Sequence, residues 1–215
     1  MNPFVWGAGI LLLAIPARTV AQTVAPLPES TPAAIAKAQA DSARYPYTAA
    51  DVRFMSDMIG HHAQAILISR WAPTHEASPT IQRLAARIIN AQQDEIRLMQ
   101  VWLGDRRQPI PDPEHAMMGH GAHAEHAPMM GMLSPAQLAE LEAARGEAFD
   151  RLFLKFMIQH HSGAITMVDR LFATDGAAQD EGVFRFATDV QVDQRTEVAR
   201  MERMLAELIF RAAGQ

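Results

Sequence analysis

One motif occurs twice in this chain, and the repeat constrains the fold more than any other feature. Residues 54–66 and 153–165 share the pattern Phe-x-x-x-Met-Ile-x-His-His-x-x-Ala-Ile. A second matched pair follows in the same order, at residues 92–99 and 194–201, where both copies keep Gln-x-x-Glu, a β-branched residue and then Met. Two matched pairs in one order indicate the internal duplication of a helical hairpin.

The hydrophobic pattern predicts helices throughout the duplicated region. Apolar residues recur at helical spacing, and no segment shows the alternation of a half-buried strand. Gly104 is a candidate C-cap, and the helical pattern breaks from about residue 105 to 133. We therefore predict an all-α fold, an antiparallel four-helix bundle built from two duplicated hairpins. The expected helices are two short ones at about 31–43 and 134–145, and four long ones at about 48–71, 79–104, 146–172 and 181–211.

The first 21 residues have the character of a secretory signal peptide. The apolar run 5–15 is too short to span a bilayer comfortably, and small residues at 19–21 suit a cleavage site. An uncleaved anchor is the alternative, because no Lys or Arg precedes the apolar run. We expect an extension with a short helix at 22–47 and the bundle domain at 48–212. We therefore expect a periplasmic or secreted protein that is free of the membrane after cleavage.

Composition limits the chemistry that is available. The chain of 215 residues has no cysteine, 13 methionines and 9 histidines. Thiolate metal sites, disulfides and cysteine nucleophiles are therefore excluded, and a soft metal ligand must be a thioether accompanied by imidazole. The formal net charge of −5 gives no footprint for nucleic acid.

Each copy of the repeated motif carries one thioether and two imidazoles on a single helix. Met58 lies three residues before His61 and four before His62, and the second copy repeats this spacing. Residues three and four apart share a helix face, so these side chains converge if both hairpins turn those faces inward. On each partner helix a methionine stands four residues after a glutamate. The candidate metal ligands in the helices are Met58, His61, His62, Met99, Met157, His160, His161 and Met201.

The same side chains also have a structural interpretation, which the sequence leaves open. Methionine commonly fills irregular space in a hydrophobic core. A buried imidazole needs a hydrogen-bond partner, and the histidines could form a polar layer bonded to the partner helices. The candidate partners are Glu95, Glu197, Gln92 and Gln194.

The segment between the two hairpins carries a second candidate site. Four histidines and five methionines fall within residues 114–132, which we name the Met/His loop. Thioethers bind Cu(I) and Ag(I), and imidazoles bind several transition metals, so this mixture without cysteine indicates copper or silver. A linker of biased composition is the alternative. The candidate ligands are His115, Met117, Met118, His120, His123, His126, Met129, Met130 and Met132.

These motifs resemble the secreted domain-of-unknown-function family 305, DUF305, over about residues 48–208. The resemblance rests on the two His-His motifs and on the Gln-x-x-Glu segments that follow them. It implies a ferritin-like four-helix bundle. It also implies that some members are periplasmic copper binders that use Met and His to help cells tolerate the metal.

The expected function is copper sequestration or delivery without enzymatic turnover, with Cu(I) favoured and Cu(II) or Ag(I) as alternatives. An envelope copper-handling protein is a candidate partner, and the oligomeric state stays open. One alternative is a di-metal carboxylate enzyme, but its Glu-x-x-His motif is absent, since Met and Ile stand three residues before each histidine. Another is a structural or interaction bundle with a polar histidine layer. Because imidazole ligands must be neutral, we expect copper binding to weaken as pH falls through about 6.5.

Overall fold

The computed structural model describes residues 29–117 and 129–213, and within them all regular structure is helical. The prediction of an all-α protein is therefore confirmed. The predicted signal peptide lies outside the described residues. The helices are α1 (Pro32–Arg44), α2 (Ala49–Ser69), α3 (Pro79–Asp105), α4 (Pro113–Met117), α5 (Pro135–Ala143), α6 (Gly146–Phe172) and α7 (Glu181–Ala213).

Local sequence signals explain where three of these helices begin. Thr48 caps α2 through a capping box with Asp51, and Ser134 caps α5 in the same way with Gln137. Ser78 caps α3, where Pro79 occupies the first turn. A hydroxyl oxygen satisfies an amide group that has no partner inside the helix, and proline loses nothing at this position.

The predicted break between the hairpins differs from the structure in two places. Helix α3 continues through Gly104 to Asp105, and its C-cap is Arg106, so the expected cap at Gly104 is wrong. Arg107 takes the left-handed conformation instead, with φ of 54°. In addition, α4 forms inside the break and packs against α2, so this flank of the Met/His loop is a docked element.

Packing between the long helices buries the repeated motif. Helix α2 packs against α3, α6 packs against α7, and α2 contacts α6. Two hydrophobic clusters result. The first joins the amino-terminal part of α2 to the carboxy-terminal part of α6, and the second joins the opposite parts of the same helices. The two His-His pairs therefore lie along α2 and α6 between the clusters.

Buried carboxylates hold the ends of the helices in place. Asp51 accepts a hydrogen bond of 2.7 Å from the amide of Ala178, which connects α2 to the turn before α7. Asp180 accepts bonds from the Trp102 indole at 3.0 Å and from Arg106 at 2.5 Å. Within the described parts of the chain, no helix is long and apolar enough to cross a membrane.

Candidate metal centre

The two His-His pairs meet at the contact between α2 and α6. All four imidazoles have no exposed surface. The rings of His61 and His160 lie against each other in a tilted arrangement, with centroids 3.8 Å apart and an angle of 38° between their planes. His62 and His161 lie further out, with ring centroids 6.5 and 6.1 Å from those of their sequence neighbours. The duplication thus places equivalent residues at one level of the helical core.

Each outer histidine bonds to a glutamate on the partner helix of its own hairpin. His62 Nε2 lies 2.6 Å from a Glu95 oxygen, and His161 Nε2 lies 2.6 Å from a Glu197 oxygen. Glu95 and Glu197 hold the same position in the second repeated segment. The polar contacts predicted between the histidines and these two glutamates are therefore confirmed. Gln92 and Gln194, the other predicted partners, are buried and stand three residues before these glutamates. Neither bonds to a histidine.

The inner histidines have fewer partners. His61 Nε2 bonds to the carbonyl oxygen of Met130 at 2.9 Å. Neither ring nitrogen of His160 has a hydrogen-bond partner, and the Nδ1 atoms of His61, His62 and His161 have none either. Most buried polar atoms in proteins are paired, so five unpaired ring nitrogens in one layer require an explanation.

Burial keeps the inner imidazoles uncharged. Loss of solvation, with a smaller contribution from neighbouring His62, lowers the pKa of His61 to about 3, although the Met130 carbonyl opposes this shift. Burial, followed by the nearby His61, also lowers the pKa of His160 well below its usual value. Both rings are therefore neutral at physiological pH and present lone pairs. The pKa of these two residues lies below the value of about 6.5 used in the sequence analysis, which applies to solvated side chains. The expected pH dependence of copper binding stays a prediction.

The four motif methionines are completely buried in the two hydrophobic clusters. Met58 and Met99 belong to the first cluster, and Met157 and Met201 belong to the second. Each cluster thus pairs one thioether from a His-His helix with one from its partner helix. Across residues 29–117 and 129–213, no three His, Asp or Glu side chains come together in an arrangement for a metal ion.

The described parts of the Met/His loop differ in their surroundings. His115 is exposed and bonds to Asp112 at 2.9 Å. Met117, Met129, Met130 and Met132 are half-buried. The remaining predicted ligands of the loop lie outside the described residues: Met118, His120, His123 and His126.

The carboxy-terminal end of the Met/His loop and the adjoining Leu133 are fixed over the histidine layer by contacts that the sequence analysis missed. Gln64 donates to the Leu133 carbonyl at 3.1 Å and accepts from the Leu133 amide at 2.7 Å. Gly163 has no room for a Cβ atom, because it would collide with the backbone of Met130 and Gly131. On the other flank, a Cβ on Gly60 would lie 2.7 Å from the backbone of Ala116 in α4.

A departure from the repeat is the sequence signal that marks these contacts. In register, Gly60 corresponds to Gln159, and Gln64 corresponds to Gly163. Each glycine admits a backbone at close range, and each glutamine bonds to the 131–133 segment: Gln159 donates to the Gly131 carbonyl at 3.3 Å. The two copies of the motif therefore differ where the connecting segment crosses them.

An acidic groove, lined by seven carboxylates and four basic side chains, lies outside the histidine layer. It has a volume of about 850 Å³ and lies between α1, α3 and α7. Glu95, Asp189 and Asp193 contribute to its wall. Burial raises the pKa of Asp193, and the neighbouring charges of Glu95 and Glu197 raise it further. Glu95 therefore both faces the groove and bonds to the buried His62.

Comparison with known proteins identifies relatives of both the sequence and the fold. The profile of DUF305, a domain of unknown function, matches residues 51–205, which contain both copies of the motif. An uncharacterized protein, L153, from Acanthamoeba polyphaga mimivirus is 39% identical over 57 residues. That match covers 26% of this chain and 38% of the viral protein, so it extends over well under half of the relative's length.

Three solved structures share the fold over about three quarters of this chain. A DUF305 fragment from Deinococcus radiodurans is 32% identical, with a TM-score of 0.61, and the match covers 75% of this chain and 98% of that one. A DUF305 protein from Streptomyces coelicolor is 26% identical, with a TM-score of 0.62 and coverages of 74% and 93%. CopM in its Cu(II)-bound form is 27% identical, with a TM-score of 0.57 and coverages of 73% and 96%.

Proposed function

The chain belongs to the DUF305 family, and we propose that it binds copper, with Cu(I) as the preferred ion and Cu(II) and Ag(I) as further ions that it accepts. CopM, a relative in fold, is known in Cu(II)-bound and Cu(I)-bound forms, at 27% and 25% identity to this chain. The proposed role is sequestration or delivery in metal tolerance. The copper ion is cargo, and the protein holds it without chemical turnover.

One observation carries the proposal: five buried ring nitrogens in the duplicated His-His layer have no hydrogen-bond partner. A polar core layer with only a structural role would be expected to satisfy its nitrogens. Neutral imidazoles with free lone pairs are instead the form that binds a metal ion. The depressed pKa values of His61 and His160 keep this form available.

The donor set suits a soft ion. Imidazole and thioether together favour copper over the hard cations that require oxygen ligands. Because no three His, Asp or Glu side chains converge in the described part of the chain, we assign the tight site to one or two histidines of the layer with one buried motif methionine, which suffices for Cu(I). The buried thioether candidates are Met58, Met99, Met157 and Met201. The Met/His loop would supply separate and weaker sites, since its described histidine, His115, is exposed.

The proposal includes an architecture and a location. We infer that the four long helices form an antiparallel, ferritin-like four-helix bundle, because α2–α3 and α6–α7 pack as two hairpins that meet at the histidines. The Streptomyces coelicolor relative is described as a candidate secreted protein, and this supports a periplasmic or secreted location. A partner that receives or supplies copper in the envelope is part of the same proposal.

A catalytic di-iron centre has less support from the residues. Such centres use Glu-x-x-His, and the residues three before the four histidines are Met58, Ile59, Met157 and Ile158. The competing structural role has one observation in its favour, which is that His62 and His161 are each bonded to a glutamate. Those bonds leave Nδ1 of both rings unpaired, so they do not complete a structural layer.

Metal analysis of the exported protein tests the proposed function. The protein should be isolated from cells grown with copper and iron and then titrated anaerobically with Cu(I) against a competing chelator. Bound copper with tight Cu(I) affinity is the expected result. Bound iron would indicate the di-iron alternative, and no metal with no measurable Cu(I) affinity would indicate the structural one.

A further inference from the structure

We propose that Glu95 and Glu197 are positioning residues that fix the tautomers of His62 and His161, so that each ring presents Nδ1 to the metal. This inference rests on the proposed function, because it names the atoms through which the outer histidines would hold the ion. It adds two residues that neither the His-His motif nor the methionines indicate.

The first step is the position of the proton. A carboxylate can only accept a hydrogen bond, so a neutral imidazole 2.6 Å away must carry its proton on the nitrogen that faces it. In both hairpins that nitrogen is Nε2. The lone pair of each ring is then on Nδ1.

The second step is the surroundings of the other nitrogen. His62 and His161 have no exposed surface, and Nδ1 of each has no hydrogen-bond partner. The two glutamates keep side-chain exposures of 16% and 25%, so the Nε2 side of each ring faces the outer part of the core. In the neutral form of each ring, Nδ1 is therefore the nitrogen left for a metal ion.

The third step is that the arrangement occurs twice. Both Glu–His distances are 2.6 Å, and both glutamates stand four residues before a buried methionine. The Met130 carbonyl also forms a hydrogen bond with Nε2 of His61. In three of the four rings, therefore, Nε2 has a hydrogen-bond partner and Nδ1 has none. A carboxylate behind a metal-binding imidazole also raises its basicity, which strengthens the bond to the metal.

Nitrogen NMR of the histidine side chains tests the tautomers before any metal is added. In the metal-free protein, His62 and His161 should be protonated on Nε2 and unprotonated on Nδ1. The Glu95→Leu variant should lose this preference at His62, whereas Glu95→Gln should retain much of it because the amide oxygen still accepts a bond. Asp94→Asn, which removes an exposed charge from the neighbouring position, is the control and should change nothing. A proton on Nδ1, or on both nitrogens, would overturn the inference.

Loading with Ag(I), a diamagnetic substitute for Cu(I), tests the coordinating atom. The Nδ1 resonances of His62 and His161 should shift, and Glu95→Leu should weaken Cu(I) binding by about 10- to 100-fold, with a smaller loss in Glu95→Gln. A shift at Nε2 instead would overturn the inference, but the proposal that the protein binds copper would stand. If no imidazole responds to metal, the proposed function fails, even where the metal-free tautomers are as expected.

Discussion

The ring centroids of His61 and His160, one residue from each duplicated hairpin, lie 3.8 Å apart. Neither side chain has any exposed surface. Two cationic imidazoles could not be buried at this distance, because their repulsion would add to the loss of hydration. The contact therefore excludes two charged rings, and burial lowers the pKa of each, so that both are neutral at physiological pH. Neutrality is also what metal coordination requires, so one feature of the packing supports both the fold and the proposed site.

The first prediction concerns acid stability. His61 has a folded pKa of about 3, whereas an unfolded histidine titrates near 6.5, so the unfolded chain binds more protons between these values. The contribution of His61 to the free energy of unfolding is therefore fully present above about pH 6.5 and is lost as pH falls toward 3. In His61→Gln, the stability lost between about pH 7 and pH 5 should shrink by about 2 kcal/mol.

Urea unfolding of the metal-free protein at the two pH values measures this effect. The exposed His115→Gln variant is the control and should behave like the parent protein. An equal loss of stability in His61→Gln and the parent would show that His61 is protonated in the folded protein.

The second prediction concerns the segment over the histidine layer. A Cβ atom on Gly163 would collide with the backbone of Met130 and Gly131, which cannot move aside as a side chain could. Gly163→Ala should therefore destabilise the protein by about 1–3 kcal/mol, although alanine favours a helix. Ser162→Ala, at the exposed neighbouring position, is the control for helix propensity. A more stable Gly163→Ala protein would contradict the close approach.

The third prediction separates the Met/His loop from the helical site. Replacing Met118, His120, His123 and His126 by serine leaves Met130 and the His61 contact unchanged. The number of bound Cu(I) ions should fall, while the tightest affinity and the midpoint of thermal unfolding stay the same. Mass spectrometry of the loaded protein gives the ion count. An unchanged count would remove the loop from the metal-binding proposal.

The fourth prediction concerns access through the acidic groove. Asp189 and Asp193 line it beside Glu95, so they should attract a cation toward the histidine layer. In Asp189→Asn with Asp193→Asn, the association rate of copper should fall about threefold at low salt, and the difference should disappear near ~0.5 M salt. Asp94→Asn, an exposed carboxylate on α3, is the control in stopped-flow measurements. An unchanged rate at low salt would exclude the groove as the route.

The sequence predicts most of the fold because its signals are local. The capping boxes at Thr48 and Ser134 define where two helices begin, and the break at Gly146 separates α5 from α6 as expected. The Glu95 and Glu197 contacts follow from the register of the repeat. These features need only helical spacing and the duplication.

The rest depends on tertiary contacts that spacing alone does not report. Helix α4 forms where composition indicates a break, because Ala116 packs against Gly60. The contact from Met130 to His61 joins residues 69 positions apart. The low pKa of His61 results from complete burial, which a sequence-based value near 6.5 does not include.

The central claim is that the histidine layer binds copper, and one competition titration tests it most directly. In the double variant His62→Gln, His161→Gln, each glutamine amide can still donate a hydrogen bond to Glu95 or Glu197. The Nδ1 atoms that would bind the metal ion are absent. His75→Gln is the matched control, because His75 is buried and bonds through Nε2 to the Glu142 carbonyl at 2.8 Å. Anaerobic Cu(I) titration against a chelator should show an affinity at least about 100-fold weaker in the double variant and parental affinity in His75→Gln. If the double variant folds and binds Cu(I) as tightly as the parent, His62 and His161 are structural residues and the account of the histidine layer is wrong.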